Sequence, residues 1–363
     1  MDVRDFDFEL PSELIAQEPP PDRGASRLLR LDRRTGELAH LSIAALPDLL
    51  DSGDLLVVND TRVFAARLIG RRVPSGGAVE CLLLRRVDPA RADGSDMSGG
   101  DMWEALMHPG QKLGPGARVV FEPPEGASGG LRLHGEVVER RFHGRRVVRL
   151  RPEGAGSIDA VVDAIGHVPL PPYIKRDDRG DDRARYQTVF ARARGSIAAP
   201  TAGLHFTPPL IAALAARGVE IAQITLHVGY GTFQPVRVER VEDHRLEAEP
   251  YVIEPPAASA IAAALRDRRR IVAVGTTTTR TLEAVARAKG TIAPGAGQTD
   301  LFIHPGFDFR AIGGLITNFH LPRSSLLMLV SAFAGRERVL SAYRRAIDEG
   351  YRFYSYGDAM LIL

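Results

Sequence analysis

The chain has 363 residues, of which 44% are hydrophobic and 25% charged, and this near-average composition excludes wholesale disorder and a fibrous protein. With 47 basic against 45 acidic residues, the formal net charge is +2, so charge alone does not indicate a nucleic-acid partner. The N-terminus has no signal-like run and no stretch approaches the roughly 18 apolar residues of a membrane helix, so we expect a cytoplasmic protein without a membrane partner.

The N-terminal part predicts a short helix and a buried strand. Ser12 follows a proline and is predicted to cap the helix. The apolar run at residues 55–58 predicts a strand, which delivers Asp60 and Arg62 to its end. These two side chains form either an orienting ion pair in a site or a plain structural salt bridge.

The pattern of apolar and polar residues changes near residue 70. Short alternating segments follow one another between glycine and proline clusters, namely AVECLLLRRV, ARVVFEP, LRLHGEVVER and RRVVRLRP. This spacing is typical of antiparallel strands and predicts a small β-barrel. Cys81, the single cysteine, is predicted to be a small buried strand residue, and its being alone excludes an intrachain disulfide and cysteine-rich zinc sites. Residues 88–101 are polar and rich in Gly and Ser, which predicts a hairpin tip without an assigned function.

Alternating strands and helices return after about residue 158. The predicted strands are 221–226 and 271–274, and the predicted helices are 208–217, 257–269 and 336–349. The fold class is therefore α/β. We predict a discontinuous larger α/β domain, residues 1–69 and 156–363, with an inserted small antiparallel β-barrel domain, residues 70–155.

Four segments carry polar residues inside apolar runs. They are residues 195–207, 224–236, 275–283 and 315–335, and they include Thr201, Asn318 and Ser324. Polar groups in such surroundings must form hydrogen bonds within the protein or take part in binding or catalysis. Together the segments indicate one shared site.

The strand at 271–274 runs into Gly275, four threonines (Thr276 to Thr279) and Arg280. A glycine turn from a strand into a helix is a natural anion or ribose site, although the threonines could instead cap the helix. There is no P-loop pattern, and Gly229 and Gly231 lack the third glycine of a dinucleotide fingerprint.

Three histidines lie in these segments: His205, His227 and His320. None belongs to an HExxH or paired-cysteine pattern, so no metal is indicated. Each is either a satisfied structural hydrogen-bonding residue or a general acid or base.

Aromatic and basic residues offer further contacts. Five aromatic residues could stack on a base or face a sulfonium cation, or belong to the core: Tyr230, Phe233, Phe319, Tyr354 and Tyr356. Four cations follow proline-rich loops, where they either meet a phosphate backbone or form a solvated surface: Arg23, Arg27, Lys175 and Arg176.

The assembled motifs closely resemble the S-adenosylmethionine:tRNA ribosyltransferase-isomerase family of queuosine biosynthesis. The motifs are DRGASRLL, NDTRVFAARL, PPYIKR, RYQTVFA, GSIAAPTAGLHFT, ITLHVGYGTFQPV, GTTTTRTLE, TDLFIHPGFDFR, LITNFHLPRSSLLMLVSAFAG and YRFYSYGDAMLI. The departures are mild, with Thr278 and Thr279 where Ser-Val is expected and His304 where the family usually has tyrosine.

The resemblance implies an enzyme that transfers and isomerises the ribosyl moiety of S-adenosylmethionine onto 7-aminomethyl-7-deazaguanine at the wobble position of a tRNA anticodon loop. Epoxyqueuosine forms, and adenine and methionine leave. S-adenosylmethionine is a co-substrate, no metal or other cofactor is implied, and a monomer is expected. Two alternatives are another α/β enzyme acting on a small nucleoside and a noncatalytic RNA-binding protein.

The resemblance also suggests which residues take part in catalysis and in binding. One of the three histidines would be the base, with Asp60 beside it in the catalytic set. The substrate-binding set is Arg62, Thr201, Tyr230, Phe233, Thr276, Thr277, Thr278, Arg280, Asn318 and Ser324, with Arg280 as a bidentate partner for the methionine carboxylate. The RNA-binding set is Arg23, Arg27, Lys175, Arg176 and Arg323.

Overall fold

The computed structural model describes residues 1–87, 100–123, 130–154, 156–233 and 235–363. The predicted hairpin tip at 88–101 thus lies almost wholly outside the described residues, as does the side chain of Phe233.

The described strands, in chain order, are β1 (Arg27–Leu31), β2 (Leu38–Ser42), β3 (Leu55–Asn59), β4 (Thr61–Val63), β5 (Arg67–Val73), β6 (Ala78–Arg86), β7 (Asp101–His108), β8 (Arg118–Phe121), β9 (Leu133–Arg140), β10 (Arg145–Pro152), β11 (Ala193–Ser196), β12 (Glu220–Leu226), β13 (Glu249–Ile253), β14 (Ile271–Val274), β15 (Gly295–Thr299), β16 (Gly314–Asn318) and β17 (Ala359–Ile362). The α-helices are α1 (Leu46–Leu49), α2 (Ile158–Ile165), α3 (Asp182–Arg185), α4 (Pro208–Ala216), α5 (Pro255–Arg266), α6 (Thr276–Lys289), α7 (Ser325–Ala334) and α8 (Arg336–Asp348). Among the described helices, none is both long enough and apolar enough to cross a membrane.

The predicted α/β elements are confirmed, with ends that differ by up to three residues. Strand β14 has the predicted bounds, and α4, α5 and α8 occupy the three predicted helical stretches. The prediction for Ser12 is wrong, because Ser12 is the first residue of a 3-10 turn, Ser12–Leu14, and makes no capping hydrogen bond. Pro11 precedes it in the cap position and has no side-chain group that could accept one.

The chain forms two compact units. The first comprises Met1–Arg62, Pro171–Arg176 and Arg185–Leu363, and the second comprises Val63–Leu170 and Asp177–Ala184. The second unit extends beyond the predicted insert of 70–155 on both sides. One reason is α2, whose Val161, Val162 and Ile165 are buried and which packs on β9 and β10.

The first unit holds a nine-stranded sheet in the order β15-β13-β12-β3-β14-β16-β17-β1-β2. Its centre is parallel, because β12 and β14 flank β3 in parallel and β16 continues beside β14. Strand β17 then runs antiparallel to β16.

Both faces of this sheet are covered. Alternate residues of β3 point to opposite sides, since Leu55 and Val57 belong to the apolar cluster with helices α5 to α8, while Leu56 and Val58 belong to the cluster with α1 and α4. A strand buried on both faces reads as a continuous apolar run, and this explains why residues 55–58 contain no polar residue.

The second unit contains a closed six-stranded antiparallel barrel in the order β10-β7-β6-β5-β8-β9. The predicted inserted β-barrel is therefore confirmed. Cys81 lies on β6 and is fully buried, as expected from its apolar neighbours, and burial raises the pKa of its thiol.

Candidate functional site

Polar residues gather at one edge of the nine-stranded sheet. Strands β3, β12, β14 and β16 are parallel, so their carboxyl ends meet there. Asn59 at the end of β3 joins these ends, since its side-chain amide donates to the Leu226 carbonyl (2.9 Å) and to Thr277 Oγ1 (3.3 Å). All four polar segments of the sequence therefore lie near one another.

A pocket that is open to solvent lies at this edge. Its polar lining consists of Tyr173, Tyr186, Thr201, Thr232, Thr276, Thr277, Thr317, Asn318, His320, Tyr354 and Ser355. Each of the four polar segments contributes to this lining.

Helix α6 begins at the wall of the pocket. Gly275 turns the chain from β14 into the helix with a φ of 89°, a conformation that favours glycine. The amides of Thr276 and Thr277 lie in the first turn, where an α-helix provides no backbone acceptor. The Thr276 hydroxyl makes no hydrogen bond within the described chain and lines the pocket. The start of α6 thus presents donors and the positive end of the helix dipole to a ligand.

Thr278 and Arg280, both predicted to contact the substrate, are hydrogen-bonded within the protein. Thr278 is fully buried and donates its hydroxyl to the Val274 carbonyl at 2.8 Å. Arg280 is buried in an ion pair with Glu249, and its Nε donates to the Leu301 carbonyl at 2.9 Å. The polar groups of both side chains are therefore used within the protein.

His320 is the predicted histidine that lines the pocket. Its Nε2 lies 2.7 Å from Thr317 Oγ1, and its backbone N–H donates to the Tyr343 hydroxyl at 3.1 Å. Nδ1 makes no hydrogen bond among the described residues. Burial without a compensating carboxylate lowers the pKa of the imidazole to about 3, so the ring is neutral at physiological pH.

His205 belongs to a satisfied network. Its Nδ1 lies 2.9 Å from Ser26 Oγ, and its Nε2 accepts from Asn318 Nδ2, also at 2.9 Å. Asn318 in turn accepts from Thr201 Oγ1 at 3.0 Å and donates to the Tyr354 carbonyl at 3.1 Å. Burial lowers the pKa of His205 to about 4. This ring positions the Asn318 amide and has no free nitrogen for catalysis.

His227 and Asp60 form a second cluster that is not part of the pocket lining. His227 Nδ1 lies 2.8 Å from Thr61 Oγ1, and burial lowers its pKa, while the Asp60 charge partly opposes this shift. The predicted pair of Asp60 with Arg62 is wrong. The buried Asp60 carboxylate accepts two hydrogen bonds from Arg192 (2.7 and 3.0 Å), and Arg62 is exposed.

Two tyrosines of the pocket lining stack on one another, and of these Tyr354 was a predicted stacking residue, whereas Tyr173 was missed by the reasoning from sequence. The ring of Tyr354 stacks on Tyr173 with centroids 4.0 Å apart, and the Tyr173 hydroxyl shares a hydrogen bond with Ser355. The Tyr354 hydroxyl is buried without a hydrogen-bond partner in the described chain, and its backbone φ is 74°. Burial raises the pKa of both phenols, which stay neutral. The motifs PPYIKR and YRFYSYGDA were the available signal.

Ser324 does not reach the pocket lining. It is the N-cap of α7, where its hydroxyl accepts from the Leu327 amide at 3.2 Å. The substrate contact predicted for it is therefore replaced by a capping role. Tyr230 lies in a 3-10 turn, Tyr230–Phe233, and is not among the pocket residues.

Most of the predicted RNA-binding cations have internal partners. Arg27 donates to the Glu349 carbonyl (2.7 Å) and lies over the Tyr351 ring, and Arg23 donates to the Arg185 carbonyl (3.1 Å). Arg176 donates to the Gln17 carbonyl (3.2 Å), and Arg323 pairs with Asp7. The Lys175 side chain is exposed. Within the described ranges, no group of three or more His, Cys, Asp or Glu residues could hold a metal ion.

A pocket lined by polar residues at the carboxyl edge of parallel strands is the arrangement of an α/β enzyme. A family model described as queuosine biosynthesis protein matches residues 3–362, and the chain belongs to this family. It is 52% identical to the S-adenosylmethionine:tRNA ribosyltransferase-isomerase of Heliobacterium modesticaldum and 50% identical to that of Desulfitobacterium hafniense, with 100% of each chain covered. A crystal structure of S-adenosylmethionine tRNA ribosyltransferase from Thermotoga maritima is similar, with a TM-score of 0.54, 36% identity, and coverage of 99% of this chain and 100% of that one.

Proposed function

We propose that this enzyme transfers and isomerises the ribosyl moiety of S-adenosylmethionine onto 7-aminomethyl-7-deazaguanine at the wobble position of tRNA. The product is epoxyqueuosine in the tRNA, and adenine and methionine are released. The observation that carries the proposal is the full-length similarity to proteins named for this activity, at 52% identity over 364 residues.

The start of α6 receives the methionine carboxylate. The free amides of Thr276 and Thr277, the Thr276 hydroxyl and the helix dipole all favour an anion there. This assignment replaces Arg280, whose guanidinium is bound to Glu249.

His320 is the base that removes the proton from the ribose carbon next to the sulfonium. Among the three candidate histidines, it lines the pocket and keeps Nδ1 free of hydrogen bonds to the described residues. Its low pKa keeps the ring unprotonated but makes it a weak base. A carboxylate bound at the nearby helix terminus raises that pKa, because a negative charge stabilises the imidazolium.

The proton transfer starts the rearrangement. The resulting ylide opens the sugar, and the bond from the sugar to adenine breaks so that adenine leaves with a proton. The neutral aminomethyl nitrogen of the modified base then forms a bond to a carbon of the opened sugar and gives up a proton. The alkoxide then closes onto the carbon that bears sulfur, so that methionine leaves and the epoxide forms. The stacked rings of Tyr354 and Tyr173 offer an aromatic surface to adenine or the sulfonium.

We further propose that S-adenosylmethionine is a co-substrate and that no resident cofactor is needed. The cytoplasmic location and the monomeric state stay predictions from the sequence.

The test is incubation of the protein with S-adenosylmethionine and an anticodon stem-loop that carries the aminomethyl-deazaguanine, followed by mass spectrometry of the nucleosides. We expect epoxyqueuosine together with an equal amount of adenine. Turnover of free nucleosides without RNA would instead identify the small-nucleoside alternative. RNA binding with intact S-adenosylmethionine would identify a noncatalytic protein.

A further inference from the structure

One end of the barrel presents an exposed aromatic ring. Phe142, in the turn between β9 and β10, is 88% exposed, whereas the other exposed large hydrophobic residues of the described chain are 37–49% exposed. A ring projected this far into solvent contributes little to the fold. It is therefore available to another molecule.

The turn that carries Phe142 has a defined backbone. The Arg141 amide donates to the Arg145 carbonyl at 2.9 Å, and the Arg145 amide donates back to the Phe142 carbonyl. His143 and Gly144 follow with φ of 56° and 79°. His143 thus adopts a left-handed conformation that non-glycine residues rarely take. The turn fixes the backbone that carries the ring, which lowers the backbone entropy lost when the ring binds a partner.

A second loop is fixed beside this turn by a buried cation. Arg146 is 1% exposed, and its guanidinium donates to the carbonyls of Leu113 (2.8 Å), Gly110 (2.6 Å) and Arg145 (2.8 Å). These bonds hold the 3-10 turn Gly110–Lys112 against the base of the β9–β10 hairpin. Strand β7 pairs with β10 up to this end of the barrel, where Leu106 lies opposite Arg145.

This end of the barrel is basic. Residues 140–146 contain four arginines and no acidic residue, and residues 108–118 contain one lysine, one arginine and no acidic residue. Arg141 pairs with Glu139, and Arg145 pairs with Glu104. Arg140 and Lys112 are exposed and form no ion pair with the described residues. We name Lys112, Arg140, Phe142 and His143 the tip surface.

We infer that the tip surface binds the tRNA substrate. Phe142 would stack on an unpaired base, while Arg140 and Lys112 meet phosphates. An aromatic ring among free cations matches how proteins hold single-stranded RNA. A surface for an acidic peptide would need the cations but gains little from one exposed aromatic ring. This inference rests on the proposed function, because it takes tRNA as the partner.

The test measures tRNA affinity and turnover in parallel. The variants are Phe142→Ala, the double variant Arg140→Gln/Lys112→Gln, and the control Leu131→Ala, which removes a 37% exposed side chain from the same unit. The probe is tRNA that carries 7-aminomethyl-7-deazaguanine. Binding is followed by fluorescence anisotropy between roughly 50 and 200 mM salt, a range over which the loss of phosphate contacts changes the affinity measurably.

We expect Phe142→Ala to raise Kd and the KM for tRNA about tenfold, with kcat at saturating tRNA unchanged. The double variant should lower the salt slope by about 1 to 2, one for each phosphate contact that is lost. Leu131→Ala should match wild type.

Wild-type affinity and salt slope in both tip variants would overturn the inference even if the wild-type protein makes epoxyqueuosine. Failure of the wild-type protein to release adenine would instead reject the proposed function. The affinity measurements would still show whether the tip surface contacts RNA. A Phe142→Ala variant that loses affinity for another protein or for lipid vesicles, but not for tRNA, would also overturn the inference.

Discussion

Tyr354 stacks on Tyr173 with ring centroids 4.0 Å apart, and yet its buried hydroxyl has no hydrogen-bond partner in the described chain. A buried hydroxyl without a partner destabilises a protein unless something else uses it. Because Tyr354 lines the pocket, we expect bound substrate to provide the partner. The positive φ of Tyr354 is consistent with a residue held in place for function.

Tyr354→Phe should therefore separate stability from activity. No hydrogen bond within the protein is lost, so the free energy of unfolding should stay within about 1 kcal/mol of wild type or rise. The kcat/KM for S-adenosylmethionine should fall about tenfold, as for the loss of one hydrogen bond to substrate. Tyr343→Phe is the control, because its hydroxyl accepts from the His320 amide, and it should lose about 1 kcal/mol of stability. Equal kinetics in Tyr354→Phe and wild type would contradict the assignment.

Thr276 and Thr278 provide a matched pair of isosteric substitutions. Thr276→Val removes a hydroxyl that lines the pocket, so it should raise the KM for S-adenosylmethionine several-fold with little change in stability. Thr278→Val removes the bond to the Val274 carbonyl, so it should lower stability by about 1 kcal/mol and leave KM unchanged. Steady-state kinetics and urea unfolding of both variants check this prediction. The reverse pattern would show that Thr278 holds the substrate.

His320→Ala should reduce adenine release by about 10³-fold at saturating substrate, because the proposed base is lost. Its affinity for tRNA should match wild type. His205→Ala is the comparison, since His205 supports Asn318 and has no free nitrogen, and turnover should fall by less than tenfold while stability drops. Single-turnover adenine release by chromatography measures both variants. Full activity in His320→Ala would remove it from the mechanism.

The buried histidines predict acid sensitivity. Burial lowers the pKa of His320 to about 3 and that of His205 to about 4, below the ordinary 6.5. As pH falls below 6.5, the unfolded chain binds protons that the folded chain does not, so stability present above that pH is lost toward pH 4, by about 1.4 kcal/mol per pH unit for each histidine. His320→Gln should flatten the dependence of urea midpoints on pH. His108→Asn, which changes an exposed side chain, is the control. Equal slopes of urea midpoint against pH in wild type, His320→Gln and His108→Asn would refute the prediction.

Arg280→Ala should act on stability rather than on substrate binding. It leaves Glu249 buried without its cation, which should cost about 3 kcal/mol. Lys289→Ala, at the exposed end of the same helix, should change stability by less than about 0.5 kcal/mol. Thermal unfolding measures both effects. A stable Arg280→Ala variant with a raised KM for S-adenosylmethionine would restore the original prediction for this residue.

The sequence by itself determined the features that have local causes. The run Ile-Val-Ala-Val into Gly275 and the threonines predicted a strand, a glycine turn and a helix start, because burial on both faces and a positive φ leave few other residue choices. Alternating short segments predicted the barrel, because successive side chains of a strand point to opposite faces and only one face of these strands lies in the core. The ordered motifs carried the family resemblance.

Only the tertiary structure decided which polar side chains already form ion pairs or hydrogen bonds within the protein. Asp60 pairs with Arg192, 132 positions away, and not with its neighbour Arg62, and Arg280 pairs with Glu249 across the sheet edge. Likewise, His205 and His320 look alike in sequence, and only the contacts with Ser26 and Asn318 separate the structural ring from the one that lines the pocket. Such partners are chosen by the packing of distant segments, and periodicity reports only which face of an element is buried.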